Sequence, residues 1–300
     1  MSDSSTARGI GLFLLALLCF ACYDAFAKAM VALYAPTIVN LGRYIAVGAI
    51  ALVWLAQAGD WRPWRQPHQG LLWLRALMLS ITATSFMTAL VTMPLAEATA
   101  IYFTAPLVMV ALSPWLLGER PTPVQWGAVL AGFAGMLLIV RPGSALPLAG
   151  TLLMVISALC YALFQVLTRK LSGRVPPSAQ FASMAAACLV VTHLPALFGP
   201  PPVWPGWGAL ALLVAGGALS GLAQLLLLAA FRRAPLATLA PLNYLQLLLA
   251  VLISSFWFQR PPDGLALAGM AVIAAAGVTL ARAARRAAPG YPRPAVAQPR

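Results

Sequence analysis

The feature that most constrains this chain is a series of apolar runs, each about 20 residues long. A helix of that length crosses the hydrocarbon core of a bilayer. Lipid offers no hydrogen bonds, so a spanning backbone must be helical or form a closed barrel. Barrel strands would appear as alternating segments of about 10 residues, which this sequence lacks. Only 8% of the 300 residues are charged and 62% are hydrophobic. The sequence therefore predicts an all-α integral membrane protein.

Ten such runs are separated by loop-forming Gly, Pro and charged residues. We refer to them as spans 1 to 10. They cover residues 9–31, 36–57, 70–93, 95–117, 123–140, 146–168, 177–198, 207–231, 235–258 and 264–284. The segment 285–300 is rich in Arg, Ala and Pro and is predicted to be a disordered cytoplasmic tail.

The basic residues predict the orientation of the spans. With the N-terminus inside, fourteen Lys and Arg residues lie in inner segments and two, Arg141 and Arg260, lie in outer loops. Cytoplasmic loops of membrane proteins carry this excess, so both termini are predicted to be cytoplasmic. The same placement, singly or in pairs between spans, argues against nucleic acid as a partner despite the net charge of +13.

The chain also contains an internal repeat. Pro94-Leu95-Ala96 at the start of span 4 matches Pro235-Leu236-Ala237 at the start of span 9, and Cys22-Tyr23-x-x-Phe26 matches Cys160-Tyr161-x-x-Phe164. These matches predict one repeat over residues 1–143 and another over residues 144–284. Each repeat has five spans, an odd number, so the two would enter the bilayer from opposite sides. A 5+5 inverted repeat around a central cavity is typical of secondary transporters.

Three stretches resemble the EamA-type half of the drug/metabolite transporter superfamily: residues 93–107, Leu117-Gly-Glu-Arg-Pro121, and residues 132–143. Residues 233–277 resemble the second copy, which has Phe258-Gln259-Arg260 where the first has Gly118-Glu119-Arg120. The resemblance implies a ten-helix transporter of the bacterial inner membrane, with spans 5 and 10 as outer scaffold. Within the superfamily, a chain of this length is most similar to bacterial amino-acid exporters, in particular to the YddG-like branch of aromatic amino-acid exporters.

Charged and amide side chains inside a bilayer are expensive and mark candidate functional positions. Counting about 1.5 Å per residue places five of them at one level in the outer half of the first repeat. These candidate gate or coupling residues are Asp24, Lys28, Asn40, Arg43 and Glu97. They could form an outer gate, a substrate site or a proton-coupling carboxylate. The alternative is structural, with Asp24 and Lys28 as an i,i+4 pair or Lys28 reaching to the interface.

Nearer the midplane, aromatic and amide residues recur at corresponding positions of the two repeats and are predicted to bind substrate. They are Tyr23, Tyr102, Phe103, Tyr161, Gln165, Gln224, Asn243, Tyr244 and Gln246. An aromatic cavity with a few amides suits a small amphipathic metabolite. Hydrogen bonding between helices is the alternative role for each residue.

Other residues are predicted to have structural roles. Arg75, near the inner end of span 3, is expected to reach to the membrane interface. Gly127, Gly132, Gly135, Gly269 and Gly277 predict close packing, either between spans 5 and 10 or across a homodimer contact.

Motifs that would indicate other functions are missing from the sequence. It has no Gly-x4-Gly-Lys-Ser/Thr loop, no His-Glu-x-x-His and no Cys/His cluster. We therefore expect no catalytic residue, cofactor or metal. The favoured function is a secondary active transporter that exports small metabolites, with amino acids as the cargo, aromatic or hydrophobic ones in particular. The alternatives are a membrane-embedded enzyme acting on lipid-linked substrates and a channel-like facilitator.

Overall fold

The computed structural model describes residues 3–59, 65–66, 68–117, 123–140, 146–171, 174–194, 199, 203–231, 233, 246, 249, 252–253, 255, 257, 259 and 262–287. All regular secondary structure in these ranges is helical. The helices are α1 (Asp3–Met30), α2 (Pro36–Ala58), α3 (Gln69–Thr92), α4 (Leu95–Tyr102), α5 (Ala105–Leu117), α6 (Pro123–Val140), α7 (Leu148–Leu171), α8 (Pro177–Val191), α9 (Trp207–Phe231) and α10 (Gly264–Ala287).

Most of these helices have the length and apolar character of membrane spans. Within the described residues, six segments are long and apolar enough to cross a bilayer: α1, α2, α3, α7, α9 and the stretch Leu95–Leu112 across α4 and α5. α6, α8 and α10 contain shorter apolar stretches. The predicted all-α membrane fold is confirmed.

Span 4 is not the continuous helix that the sequence predicted. It is broken at Phe103 and Thr104, between α4 and α5. The Thr104 N–H donates to the Ile101 carbonyl, and its hydroxyl donates to the same oxygen at 2.7 Å. Pro106 has no N–H to donate to the Tyr102 carbonyl, so the α-helical hydrogen-bond ladder cannot run through this point. Discontinuous helices of this kind lie at the binding sites of many transporters.

Two other boundaries differ from prediction. α8 ends at Val191 rather than at Phe198, since Pro195 follows and disfavours helix in the residue before it. α10 continues to Ala287, so residues 285–287 of the predicted tail are helical. The rest of the tail, 288–300, and most of span 9 lie outside the described residues.

The helices pack reciprocally across the two repeats. α9, from the second repeat, packs against α1 and α2 of the first, and α3 of the first packs against α7 and α8 of the second. We call these groups the α1–α2–α9 bundle and the α3–α7–α8 bundle. Each combines the first two spans of one repeat with the third span of the other, as expected for an inverted repeat.

Spans 5 and 10, which are α6 and α10, pack along each other. A Cβ atom placed on Gly135 would lie 2.7 Å from the carbonyl oxygen of Gly269, and one placed on Gly269 would lie 2.6 Å from that of Gly135. The two backbones therefore touch at these glycines. Of the two predicted contacts, the one between spans 5 and 10 is confirmed for this pair, and the homodimer contact stays a prediction.

Candidate functional site

A cavity lies between the two bundles, beside the C-terminal end of α4. About 100 Å³ of it is open to the centre of a water molecule, enough for several waters. Its lining residues are Leu17, Phe20, Asp24, Arg43, Tyr44, Leu79, Thr82, Ala83, Phe86, Thr99, Tyr102, Tyr161, Gln224, Leu227 and Gln246. Both repeats contribute to this lining.

One wall of the cavity is charged. Asp24 of α1 and Arg43 of α2 line it, and the α1–α2–α9 bundle also supplies Gln224. The Gln246 amide donates to the Asp24 carboxylate, with 3.0 Å between Nε2 and Oδ2. The Arg43 guanidinium lies 4.7 Å from the centre of the Tyr23 ring. The two opposite charges are thus anchored by different neighbours.

The facing wall is aromatic and apolar. The Tyr102 and Tyr161 rings are 4.8 Å apart, and Phe86 meets Tyr102 edge-on at 5.4 Å, between ring centres. The remaining contributions from α3 are Leu79, Thr82 and Ala83. Such a surface can stack a planar ring or cover an apolar side chain.

The remaining predicted binding residues lie behind these walls. Tyr23 is only 1% exposed, beneath Arg43. Phe103 packs edge-on against Tyr102, and the Gln165 amide donates to the Tyr161 hydroxyl at 2.7 Å. These three side chains support groups that line the cavity. Asn243 and Tyr244 lie outside the described residues.

The five predicted gate or coupling residues have separate surroundings. Asp24 and Arg43 line the cavity. The Lys28 ammonium donates to the carbonyl oxygens of Leu90 and Met93 at the end of α3, at 2.7 Å for Met93. Lys28 thereby ties α1 of one bundle to α3 of the other.

Asn40 and Glu97 both have buried polar atoms that find no hydrogen-bond partner among the described residues. Asn40 is fully buried in α2, and neither amide atom has a hydrogen-bond partner within the described part of the chain. Glu97 is half-buried in the first turn of α4, and its Oε2 atom is buried without a hydrogen-bond partner among the described residues. Neither residue is part of the cavity lining.

Thr99 is a lining residue that sequence reasoning missed. It is 2% exposed, and its hydroxyl is buried without a hydrogen-bond partner among the described residues. It lies three positions before Tyr102 and so on the same face of α4. Phe20 lies four positions before Asp24, which likewise places the two on one face of α1. This spacing from predicted residues was the signal that could have found both.

Arg75 does not reach to the membrane interface, as the sequence predicted. It is 6% exposed, and its Nε donates to the Thr168 hydroxyl of α7 at 2.6 Å. A terminal guanidinium nitrogen donates to the Gln180 carbonyl of α8 at 3.1 Å. The guanidinium carbon also lies 4.4 Å from the centre of the Phe164 ring. Arg75 of α3 therefore joins α7 and α8 to its own helix. The same contacts satisfy its buried charge.

Several transporters are similar to this chain over most of its length. The riboflavin transporter of Rhizobium johnstonii is 29% identical over 73% of this chain and 70% of its own length. The S-adenosylmethionine uptake transporter of Rickettsia bellii is 28% identical over 67% and 68%, respectively. The pseudopaline exporter of Pseudomonas aeruginosa is 29% identical over 71% and 75%.

A solved crystal structure shares the fold. It superposes with a TM-score of 0.65 at 23% identity, covering 95% of this chain and 99% of the other. The profile of the EamA-like transporter family matches residues 7–141 and, again, residues 148–282. The two matches cover nearly the whole chain and place it among transporters rather than enzymes. The chain belongs to the EamA-like transporter family.

Proposed function

We propose that this protein is a secondary active transporter that exports small zwitterionic metabolites, with aromatic or hydrophobic amino acids as the favoured cargo. The observation that carries the proposal is the division of the cavity. Asp24 and Arg43 supply opposite charges from α1 and α2, while Phe86, Tyr102 and Tyr161 supply aromatic surface from α3, α4 and α7.

This division matches the groups of an amino acid. An ammonium group is complementary to the Asp24 carboxylate, and a carboxylate can accept two parallel hydrogen bonds from a guanidinium such as that of Arg43. A ring or apolar side chain would then lie against Tyr102 and Tyr161, where stacking and cation–π contacts add affinity. Gln224 and Gln246 provide further amide groups for orientation.

The names of the relatives bear on cargo and direction. S-adenosylmethionine carries an α-amino acid group together with a planar base, and riboflavin carries a planar ring system. These are cargoes of the relatives, and they support a cavity that takes a flat ring beside polar groups. One relative is named for uptake and another for export, so the direction of transport is part of the proposal.

For the remaining polar residues we propose a role in closing the outer side of the cavity. Lys28 joins the two bundles through the end of α3. Asn40 and Glu97 have buried polar atoms that could find partners when the bundles move. In this arrangement both termini are cytoplasmic, as the distribution of basic residues predicts.

The test is transport by purified protein in liposomes loaded with labelled phenylalanine, tryptophan or S-adenosylmethionine. We expect at least one of these to cross faster than in protein-free vesicles. Asp24→Asn and Arg43→Gln should each lower the initial rate of that flux by about tenfold, which leaves a rate that can still be measured. Cys22→Ala is the matched control, because Cys22 is an exposed side chain two positions from Asp24 on the same helix. Flux that equals the protein-free rate for all three solutes would contradict the proposed cargo.

A carrier and a channel-like facilitator are separated by counterflow. Unlabelled substrate inside the vesicles accelerates entry of labelled substrate only through a carrier. A carrier has to reorient between the two sides in each cycle, and bound internal substrate can speed that return step. Lack of this acceleration in vesicles with active flux would favour the facilitator.

A further inference from the structure

A second cavity lies on the outside of the α1–α2–α9 bundle, between α2 and α9. It is a groove of about 430 Å³ lined by Ala49, Ile50, Val53, Trp54, Gln57 and Leu225. All of these except Gln57 are apolar, and Gln57 lies at the last turn of α2. The groove shares no residue with the cavity between the bundles.

The shape of the groove follows from how α2 and α9 cross. A Cβ atom placed on Gly217 of α9 would lie 2.5 Å from Cα of Arg43, so the two backbones touch at that level. One placed on Gly221 would lie 2.5 Å from Cδ1 of Ile50, which closes the upper end of the groove. The lining residues of α2 continue from here to Gln57.

The length and position of the groove suit the acyl chain of a lipid. From Ala49 to Gln57 the helix rises about 12 Å, close to half the thickness of the hydrocarbon core. Val53 is 57% exposed at its edge, so the groove opens towards the bilayer. An open apolar groove at this depth faces acyl chains.

Positively charged residues follow the C-terminal ends of the two helices that form the groove. α2 and α9 run in the same direction, because Gly42 contacts Leu213 and Ile50 contacts the later Gly221. Their C-terminal ends therefore face the same side of the membrane. Exposed arginines follow both ends, Arg65 after α2 and Arg233 after α9. Arginines at a membrane surface attract anionic headgroups.

We propose that the α2–α9 groove binds an anionic phospholipid from the leaflet at the C-terminal ends of α2 and α9. One acyl chain fills the groove, and the phosphate group is held near Arg65 and Arg233. The lipid would stabilise the contact between α2 and α9 within the α1–α2–α9 bundle, which also carries Asp24 and Arg43. This inference is independent of the cargo proposed above.

The test is native mass spectrometry of the detergent-purified chain with phosphatidylglycerol or phosphatidylcholine. Phosphatidylglycerol is expected to bind more, by about fivefold for each arginine engaged. Val53→Trp fills the groove and should reduce the bound lipid several-fold. Leu52→Trp is the matched control, since Leu52 is equally exposed at 59%, adjacent in sequence and outside the groove.

The charge is tested separately at the two exposed arginines. The Arg233 guanidinium also donates to the Ala229 carbonyl at 3.0 Å, so the melting temperature of each variant is measured alongside lipid binding. Arg65→Gln with Arg233→Gln should remove the preference for phosphatidylglycerol, and the two Lys replacements should retain it. Glycerol phosphate, the headgroup without chains, should give no thermal stabilisation. Equal binding by Val53→Trp and Leu52→Trp, or equal binding of the two lipids by the native chain, would overturn the proposal.

Discussion

Gln246 and Asp24 are 222 positions apart in the sequence, yet the Gln246 amide donates a hydrogen bond to the Asp24 carboxylate in the cavity lining. The bond joins span 9 of the second repeat to α1 of the first. It fixes the position of an acid that faces the space between the bundles. A charged acceptor makes such a bond stronger than one between neutral groups.

Gln246→Leu is predicted to weaken substrate binding without preventing folding. The substitution removes the donor and leaves a carboxylate oxygen without that partner. We expect a loss of about 1.4 kcal/mol, or roughly tenfold in affinity, at the lower end of the range for such a change. Gln246→Glu should cost more, because it places a second acid beside Asp24. The apparent KM for labelled substrate in proteoliposomes measures both effects. Native KM values in Gln246→Leu would show that the bond does not position Asp24 for binding.

Thr99→Val is predicted to lower affinity while leaving stability unchanged or higher. The two side chains have the same shape, and the Thr99 hydroxyl is buried without a partner in the described structure. Removing an unsatisfied hydroxyl should not destabilise the protein, but losing one bond to substrate costs about fivefold in affinity. Substrate-dependent thermal shift compares both quantities in one experiment. Thr99→Ser should behave as the native chain, and a less stable Thr99→Val variant would mean that the hydroxyl has a structural role.

Much of the fold was predictable because it depends on local sequence. The spans follow from apolar runs, and the reciprocal packing is consistent with the repeat and its odd number of spans. Asp24 and Arg43 could be placed at one level by counting residues along two helices. The break at Phe103 was also within reach, since Pro106 interrupts the hydrogen-bond pattern of span 4.

Side-chain partners between distant helices could not be predicted in this way. Arg75 was expected to reach to the interface, but its partners Thr168 and Gln180 lie 93 and 105 positions away, in the other repeat. Lys28 similarly contacts carbonyls of α3 62 and 65 positions away. Depth along a helix was accessible from one sequence, whereas rotation and neighbours depend on packing.

Arg75→Met is predicted to lower the thermal stability of the protein strongly. The variant retains an apolar stem but loses the bonds to Thr168 and Gln180 and the contact with Phe164. Hydrogen bonds to charged groups contribute about 1.5–3 kcal/mol each. Arg75→Lys should rescue only part of this, because an ammonium group cannot reproduce the planar fork of donors.

The control for Arg75 is Arg174→Met, at an exposed position in the turn between α7 and α8. An exposed arginine contributes little to stability, so its melting temperature in detergent should stay near that of the native chain. Equal melting temperatures for the two Met variants would contradict a role of Arg75 in holding the bundle together.

Gly217→Ala is predicted to destabilise the contact between α2 and α9. The added methyl group would lie 2.5 Å from Cα of Arg43 and 2.6 Å from the carbonyl oxygen of Gly42. Both are backbone atoms, so the helices must move apart, at a cost of about 1–3 kcal/mol. Gly48→Ala in α2 is the control, because a Cβ atom there meets nothing within 4 Å. Its higher helix propensity should stabilise the chain by up to about 1 kcal/mol. Thermal unfolding of the two variants should therefore shift in opposite directions.

Asp24→Asn is predicted to remove the pH dependence of transport, whereas Glu97→Gln should leave it unchanged. A carboxyl group that couples transport to protons must gain and lose a proton during the cycle, so its surroundings have to change as the bundles move. A carboxyl group that lines the substrate cavity meets this requirement. Asp24 lines the cavity and Glu97 is not part of that lining. The measurement is the initial rate of labelled substrate flux at several pH values, with the same pH on both sides of the vesicle. A flattened profile in Glu97→Gln alone would move the coupling role to the start of α4. Unchanged profiles in both variants would rule out proton coupling through either carboxylate.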